Sequence, residues 1–146
     1  MRRAAAKPPT DRPPPPPPPP DYGGHDSHFH SNVIVGLHGQ GCIGTAGFVP
    51  GHVDTYHDND CIVFRTETVD ALFENCNPSL IAAGGSLKGY NNRYYTPLGN
   101  ASANCDCCGV RPLAQLSGTG LADNFTASVL PAPERIIAMG RAKLLI

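Results

Sequence analysis

The sequence predicts a small single domain of the α/β or α+β class behind a proline-rich N-terminal arm. Three observations carry this. Short β-branched and apolar runs alternate with glycine turns. Between two of them stands an apolar pattern at helical spacing. Ten of the sixteen prolines lie before Asp21, so the remainder has an ordinary globular composition.

In chain order, residues 1–30 form the arm and a histidine-rich loop, residues 31–130 the domain, and residues 131–146 a helical tail. Pro13–Pro20 is an unbroken octaproline. Fixed φ and missing amide donors favour polyproline II, roughly 25 Å long at about 3.1 Å per residue. DYGGHDSHFHS, from Asp21, is polar and rich in turn formers. Val33–Leu37 reads as a strand. Pro50-Gly51 interrupts any helix in the segment that follows. Cys61–Thr66 reads as a second strand. Val69, Leu72, Phe73 and Cys76 fall at i, i+3, i+4 and i+7, which predicts a short helix capped near Thr66 or Thr68 and stopped at Asn77-Pro78. Ser79–Ala83 is a third candidate strand. Residues 90–120 read mostly as loop, Asn124–Leu130 as a strand and Glu134–Leu145 as a helix. No internal repeat is apparent, and a strand–helix–strand order with glycine turns fits the predicted class.

With 146 residues the chain suits one domain. Its net charge of −1 offers no basic excess for nucleic acid. No run approaches the length of a membrane span, so neither nucleic acid nor a membrane span is expected among its partners. The start MRRAAAKPPTDR lacks the apolar run of a signal peptide. The six cysteines and the sequons at Asn100 and Asn124 lean instead towards an extracellular protein. The localisation therefore stays open. Cys42, Cys61 and Cys76 balance Cys105, Cys107 and Cys108 in number, which favours disulfides, with fifteen pairings open in principle. Metal ligation and free thiols are the alternatives for the NCDCCG cluster, whose spacing departs from that of structural zinc sites.

NVIVGLHGQGCIG, from Asn32, poses the main functional question. Its simplest reading is a buried strand ending in a turn that needs positive φ. Gly39-Gln40-Gly41-Cys42-Ile43-Gly44 also fits the glycine spacing of a dinucleotide turn, with Glu67 placed to hold a ribose hydroxyl. Gly47, Pro50 and Gly51 then fall where the phosphate-binding helix should begin.

A third reading joins two motifs. VIVGLHGQG followed by LIAAGGSLKG resembles the His-Gly turn and the nucleophile elbow of α/β-hydrolases, secreted esterases in particular, over residues 32–90. The resemblance implies Ser86 as nucleophile, Gly84 as the preceding elbow glycine, and His38, Gly39 and Gln40 at the oxyanion turn. Lys88 occupies the place of the second elbow glycine. The family order of nucleophile, acid, histidine is not met, because all six histidines precede Ser86. A serine needs a base to act near neutral pH, and Asp106 and Asp123 supply carboxylates without one.

His25, Asp26, His28 and His30 form a compact run, and His52, Asp54, His57 and Asp58 a second that folding could bring to it. Surface histidines at such spacing suit weak zinc or copper binding, with His25, His28 and His30 as candidate ligands, and no resident cofactor is expected. With no complete catalytic set, the function predicted is a non-catalytic interaction or structural module. Its polyproline arm can dock in the aromatic groove of a polyproline-binding protein or act as a spacer. A truncated or degenerate esterase-like hydrolase and a metal-binding protein are the alternatives, so whether the protein is an enzyme is left open.

Overall fold

A computed structural model describes residues 26–36, 41–45, 51–64, 68–72, 86–105 and 109–144. The polar and apolar residues of its short strands alternate with a period of two, so each strand has an inner and an outer face. Eleven strands occur among these residues: β1 (His28–His30), β2 (Val33–Gly36), β3 (Ile43–Thr45), β4 (Val53–His57), β5 (Asp60–Val63), β6 (Thr68–Leu72), β7 (Ser86–Tyr90), β8 (Arg93–Thr96), β9 (Ser102–Cys105), β10 (Gly109–Pro112) and β11 (Thr126–Val129). One α-helix, α1 (Pro133–Leu144), follows them.

The strands recur in threes. β1, β4 and β7 form one sheet, β2, β5, β8 and β11 a second, and β3, β6, β9 and β10 a third. Every pairing is parallel except β9 with β10. The chain therefore winds as a parallel β-solenoid, each rung laid on the one before. Val33 pairs with Asp60, Asp60 with Arg93 and Arg93 with Thr126, so successive rungs are separated by 27, 33 and 33 residues. Parallel sheet with one C-terminal helix agrees with the predicted class. The parallel pairing arises from winding, not from helical crossovers.

The interior holds the inward member of each strand. Tyr56, Cys61, Val63, Val69, Leu87, Tyr94 and Ala103 form one buried cluster, with Ile34, Ile43 and Ala127 packed against it. At the C-terminal end the winding is turned aside. β10 runs back against β9, and the short 3₁₀ turn Leu113–Gln115 drops Leu113 and Leu116 into the interior. Phe125 then packs edge-on against Tyr94, ring centroids 6.4 Å apart.

α1 carries Pro133 in its first turn, with Glu134 beside it and Arg141 and Lys143 in its last, matching the helix dipole. It returns to β2 on the outer side of the second sheet. Ile136, Met139 and Gly140, at helical spacing, are its half-buried face. Ile62 is 0 % exposed yet stands outside the interior cluster, on that same outer side.

Two expectations are corrected. The helix predicted from Val69, Leu72, Phe73 and Cys76 gives way to β6. Val69 points inward at zero exposure, Thr68 accepts a hydrogen bond from the Ser102 hydroxyl, and the ladder to β9 absorbs a bulge between Thr68 and Asp70. Inter-rung bonding from both sides outweighs a marginal local helix pattern. Phe73, Cys76 and the candidate strand Ser79–Ala83 lie outside the described residues. Residues 90–120, read as loop, contain β8, β9 and β10. The expected strands at Val33–Leu37, Cys61–Thr66 and Asn124–Leu130 and the C-terminal helix fall within a few residues of β2, β5, β11 and α1, whereas β1, β3, β4 and β7 form where no strand was expected, β4 in the segment Thr45–Asp58 read as loop or broken helix.

Cys42 and Cys61 form a disulfide with Cα atoms 5.9 Å apart, tying the entry of β3 to β5 across neighbouring sheets. This pairing joins two members of one expected half-set in place of partners from the Cys105 group. Cys76, Cys107 and Cys108 lie outside the described residues, as does the side chain of Cys105. Closing a loop of this length contributes about 3 kcal/mol in the chain-entropy account. A Cys42→Ser/Cys61→Ser variant should unfold at lower urea than the wild type, and adding reductant should erase most of the difference between them.

Candidate functional site

The same two-residue turn joins the first sheet to the second in every rung. Its first residue takes positive φ: Ser31 at 60°, Asp58 at 55°, Asn91 at 55° and Asn124 at 51°. Asp and Asn tolerate that region better than other side-chain-bearing residues. The second residue is Asn32, Asn59, Asn92 and finally Phe125. The three asparagines stack as a ladder. The Asn32 side-chain amide donates to Asn59 Oδ1 at 3.0 Å, and that of Asn59 to Asn92 Oδ1 at 3.1 Å. The same oxygens accept the backbone N–H of the preceding rung, both at 3.0 Å. Asn59 also donates to the Phe29 carbonyl and Asn92 to that of Tyr56. Asn59 and Asn92 are buried with this pairing, which is what makes their burial tolerable.

Fixing the turn fixes the residue before it. His30, His57 and Tyr90 end the three strands of the first sheet and stack as a column on its outer face. His30 and His57 have centroids 5.0 Å apart at 8°, and His57 and Tyr90 4.5 Å apart at 5°. A second outer row, His28, Thr55 and Lys88, follows from the register two residues back. His28 Nδ1 meets the Thr55 hydroxyl at 2.7 Å. His57 Nδ1 lies 2.6 Å from Asp58 Oδ2, and His30 Nδ1 lies 3.2 Å from the Ser31 hydroxyl. In each of these pairs the polar partner faces Nδ1. Below, Asp26 accepts from the Val53 amide and approaches His52 Nδ1 at 2.6 Å, while Asp54 accepts from the Ser27 amide. Apart from His25, which lies outside the described residues, the two histidine–acid groups of the sequence thus lie on and beside the neighbouring strands β1 and β4.

The His57 contact holds the Asp58 carboxyl below the ordinary carboxylate range, against an opposing effect of burial and with a smaller contribution from the Asn91 side chain. A depressed carboxyl stabilises the fold above the ordinary carboxylate pKa, and that contribution disappears as pH falls through the lowered value. In an acid titration followed on the Asp58 side-chain carboxyl carbon, the signal should therefore hold through the ordinary carboxylate range and change only below it. A change coincident with unperturbed carboxylates would contradict the pairing.

On the second sheet, Arg93 forks onto Asp60 at 2.5 and 2.6 Å, and the Tyr95 hydroxyl donates to the same carboxylate at 3.3 Å. The Asp60 side chain is only 6 % exposed, so the fork and hydroxyl replace its lost hydration. Asp60 in turn holds the Arg93 guanidinium above its ordinary pKa.

No family model, curated protein or solved structure matches this chain. Function is therefore argued from geometry alone.

Of the residues singled out in the sequence, Ser86 opens β7, its backbone paired with Val53. His38, Gly39 and Gln40 lie outside the described residues, as do His25, Glu67, Asp106 and the glycines before Ser86. His28 and His30 are apart in role, one on Thr55 and one in the ring column. Among the described residues no group of three or more His, Cys, Asp or Glu is placed to hold a metal. Asp123 accepts from the amides of Gly118 and Gly120, a turn-holding role. Asn100 and Asn124 are exposed. Among the described residues no helix is long and apolar enough to cross a membrane.

Sequence reasoning passed over Asn59, Asn92, Tyr90 and Arg93. The available signal was the recurrence of SNVIV, DNDCIV, NNRYY and NFTAS, each a turn-forming residue and then an asparagine, or in the last case Phe125, ahead of a strand.

Proposed function

We propose that the protein is a non-catalytic interaction module, a stiff solenoid whose first sheet presents its outer face to a hydroxyl-rich polymer. The observation that carries this reading is the pair of polar rows on that face, His30–His57–Tyr90 and His28–Thr55–Lys88. They repeat once per rung, at the spacing of neighbouring strands, about 4.8 Å. The second sheet's outer face is engaged instead by α1 and by the Asp60–Arg93 fork. Imidazole, phenol, hydroxyl and ammonium groups on a rigid lattice match repeated hydroxyls at low entropic cost. The rings stack face to face, so they meet a ligand through their polar edges. The proline run Pro13–Pro20 supplies a docking sequence for a separate polyproline-binding partner.

Affinity electrophoresis of the full chain through gels containing soluble neutral polysaccharides tests this. Retardation by at least one of them is expected, lost in His57→Ala/Tyr90→Ala with the circular dichroism spectrum unchanged. Unretarded migration in all of them, or fluorophosphonate labelling at Ser86, would overturn the reading in favour of no such ligand or of an esterase-like enzyme.

A further inference from the structure

The second sheet ends at β11, which pairs with β8 alone among the described strands. Thr126 N–H donates to the Asn92 carbonyl and Leu130 N–H to that of Thr96. In a parallel ladder this parity turns the backbone polar groups of Ala127 and Val129 away from β8, towards the open side. The strand TASV carries none of the lysines or prolines that commonly blunt such an edge. Leu98, 72 % exposed, and Val129, 64 % exposed, add apolar surface at its far end.

The chain's two Asn-X-Ser/Thr sequences fall at the two ends of this strand. Asn124-Phe125-Thr126 runs into its start. Asn100-Ala101-Ser102 follows Gly99, which packs against its end, where a Cβ would lie 3.1 Å from the Val129 nitrogen. Thr96, the ladder partner of Val129, also donates its hydroxyl to the Asn100 carbonyl at 2.6 Å. Asn100 and Asn124 are both exposed, and among the described residues neither carboxamide has a hydrogen-bond partner. The ladder asparagines differ on both counts. Asn32, Asn59 and Asn92 are held by hydrogen bonds, and Ile34, Cys61 and Tyr94 stand two positions on, so none is an acceptor sequence. The acceptor sequences thus spare the residues whose modification this fold could not accommodate. The Cys42–Cys61 disulfide belongs to an oxidising compartment, such as the one in which glycans are attached to asparagine.

We infer that Asn100 and Asn124 are N-glycosylated, and that the two glycans bracket β11 and deny its open side to another chain's strand. In the transfer, the carboxamide nitrogen bonds to the anomeric carbon of an oligosaccharide carried on a lipid diphosphate. The bond from that carbon to the diphosphate oxygen breaks, the diphosphate leaves with the electron pair, and an amide proton passes to a base of the transferase. Nothing is oxidised or reduced. A strand of four residues spans roughly 13 Å, so a bulky hydrated oligosaccharide at each end covers its open side.

Intact mass and peptide mapping of the full chain from its natural source, before and after an amidase that releases N-linked glycans, test this. The mass should fall by two glycans, and Asn100 and Asn124 should both read as aspartate afterwards. Either site found unmodified would overturn the assignment. Asn100→Gln/Thr126→Val removes both acceptor sequences and leaves the turn residue Asn124 in place. Produced in the same secretory cells, this variant should keep the wild-type circular dichroism spectrum. It should self-associate in light scattering at concentrations where the glycosylated wild type stays monomeric. Wild type deglycosylated under native conditions should do the same, with no substitution in the fold. Equal association with and without glycans would overturn the shielding of β11.

Discussion

Replacing Asn59 with alanine is expected to lower the unfolding free energy by about 4 kcal/mol, summed over the buried groups it leaves unpaired at 1–3 kcal/mol each. Asn59 is 0 % exposed, and its side chain serves four partners: it accepts from the Asn32 amide and side chain, and donates to the Phe29 carbonyl and Asn92 Oδ1. Alanine strips all four without offering water a route in. Against a typical stability of about 5–15 kcal/mol, that is a large fraction of the whole. Asn59→Asp keeps both acceptor functions and loses both donors, placing a carboxylate against a carbonyl and an amide oxygen. It should be destabilising at neutral pH and partly recover in acid, where the neutral carboxyl regains one donor. Urea melts of the two variants at neutral and acid pH separate loss of donors from loss of volume. A melt unchanged by Asn59→Ala would mean that the ladder contributes nothing.

Gly89→Ala should cost roughly 3 kcal/mol, at the upper end of overpacking penalties. Gly89 lies in β7, and a Cβ built on it would overlap the backbone carbonyl of Leu121. That carbonyl is no flexible side-chain tip. It belongs to the segment that covers the third rung, where Gly89 donates to Gly120 O at 2.8 Å and accepts from Asp123 N at 2.9 Å. Tyr56 occupies the equivalent inward position one rung earlier, so the glycine marks where the last rung is drawn in over the core. The expected signature is local. Amides of Gly89, Asn91 and Asp123 should exchange faster in Gly89→Ala, while those of β4 and β5 keep their protection. Uniform acceleration through all rungs would show instead that the closing segment and the solenoid unfold as one unit.

The strands legible in the sequence are those with dense β-branched or apolar runs, VIVG and DCIV, and the helix is the one with proline at its start and bases at its end. β8 and β9 escaped because RYYT and SANC carry little aliphatic character. Their burial comes from stacking on Cys61 and Val69 one rung earlier, a long-range fact that a local window cannot contain. β6 was misread because one inward valine and a leucine three residues on satisfy a helical period as readily as a strand with a bulge. The repeat itself was hidden by unequal steps of 27 and 33 residues, which defeat any search at fixed period. The candidate face shows the same division. His28, His30, His57 and Asp58 were picked out as residue types. That His57 stacks between His30 and Tyr90 follows only from the register of three parallel strands.

Residues 27 and 33 positions apart lie side by side in stacked rungs. Nuclear Overhauser contacts between backbone protons of labelled full-length protein test this arrangement. Inter-strand contacts should link the Val33, Asp60, Arg93 and Thr126 positions in succession, together with slowly exchanging side-chain amides on Asn59 and Asn92. Absence of those contacts, with helical i to i+3 contacts between Val69 and Leu72 in their place, would contradict it.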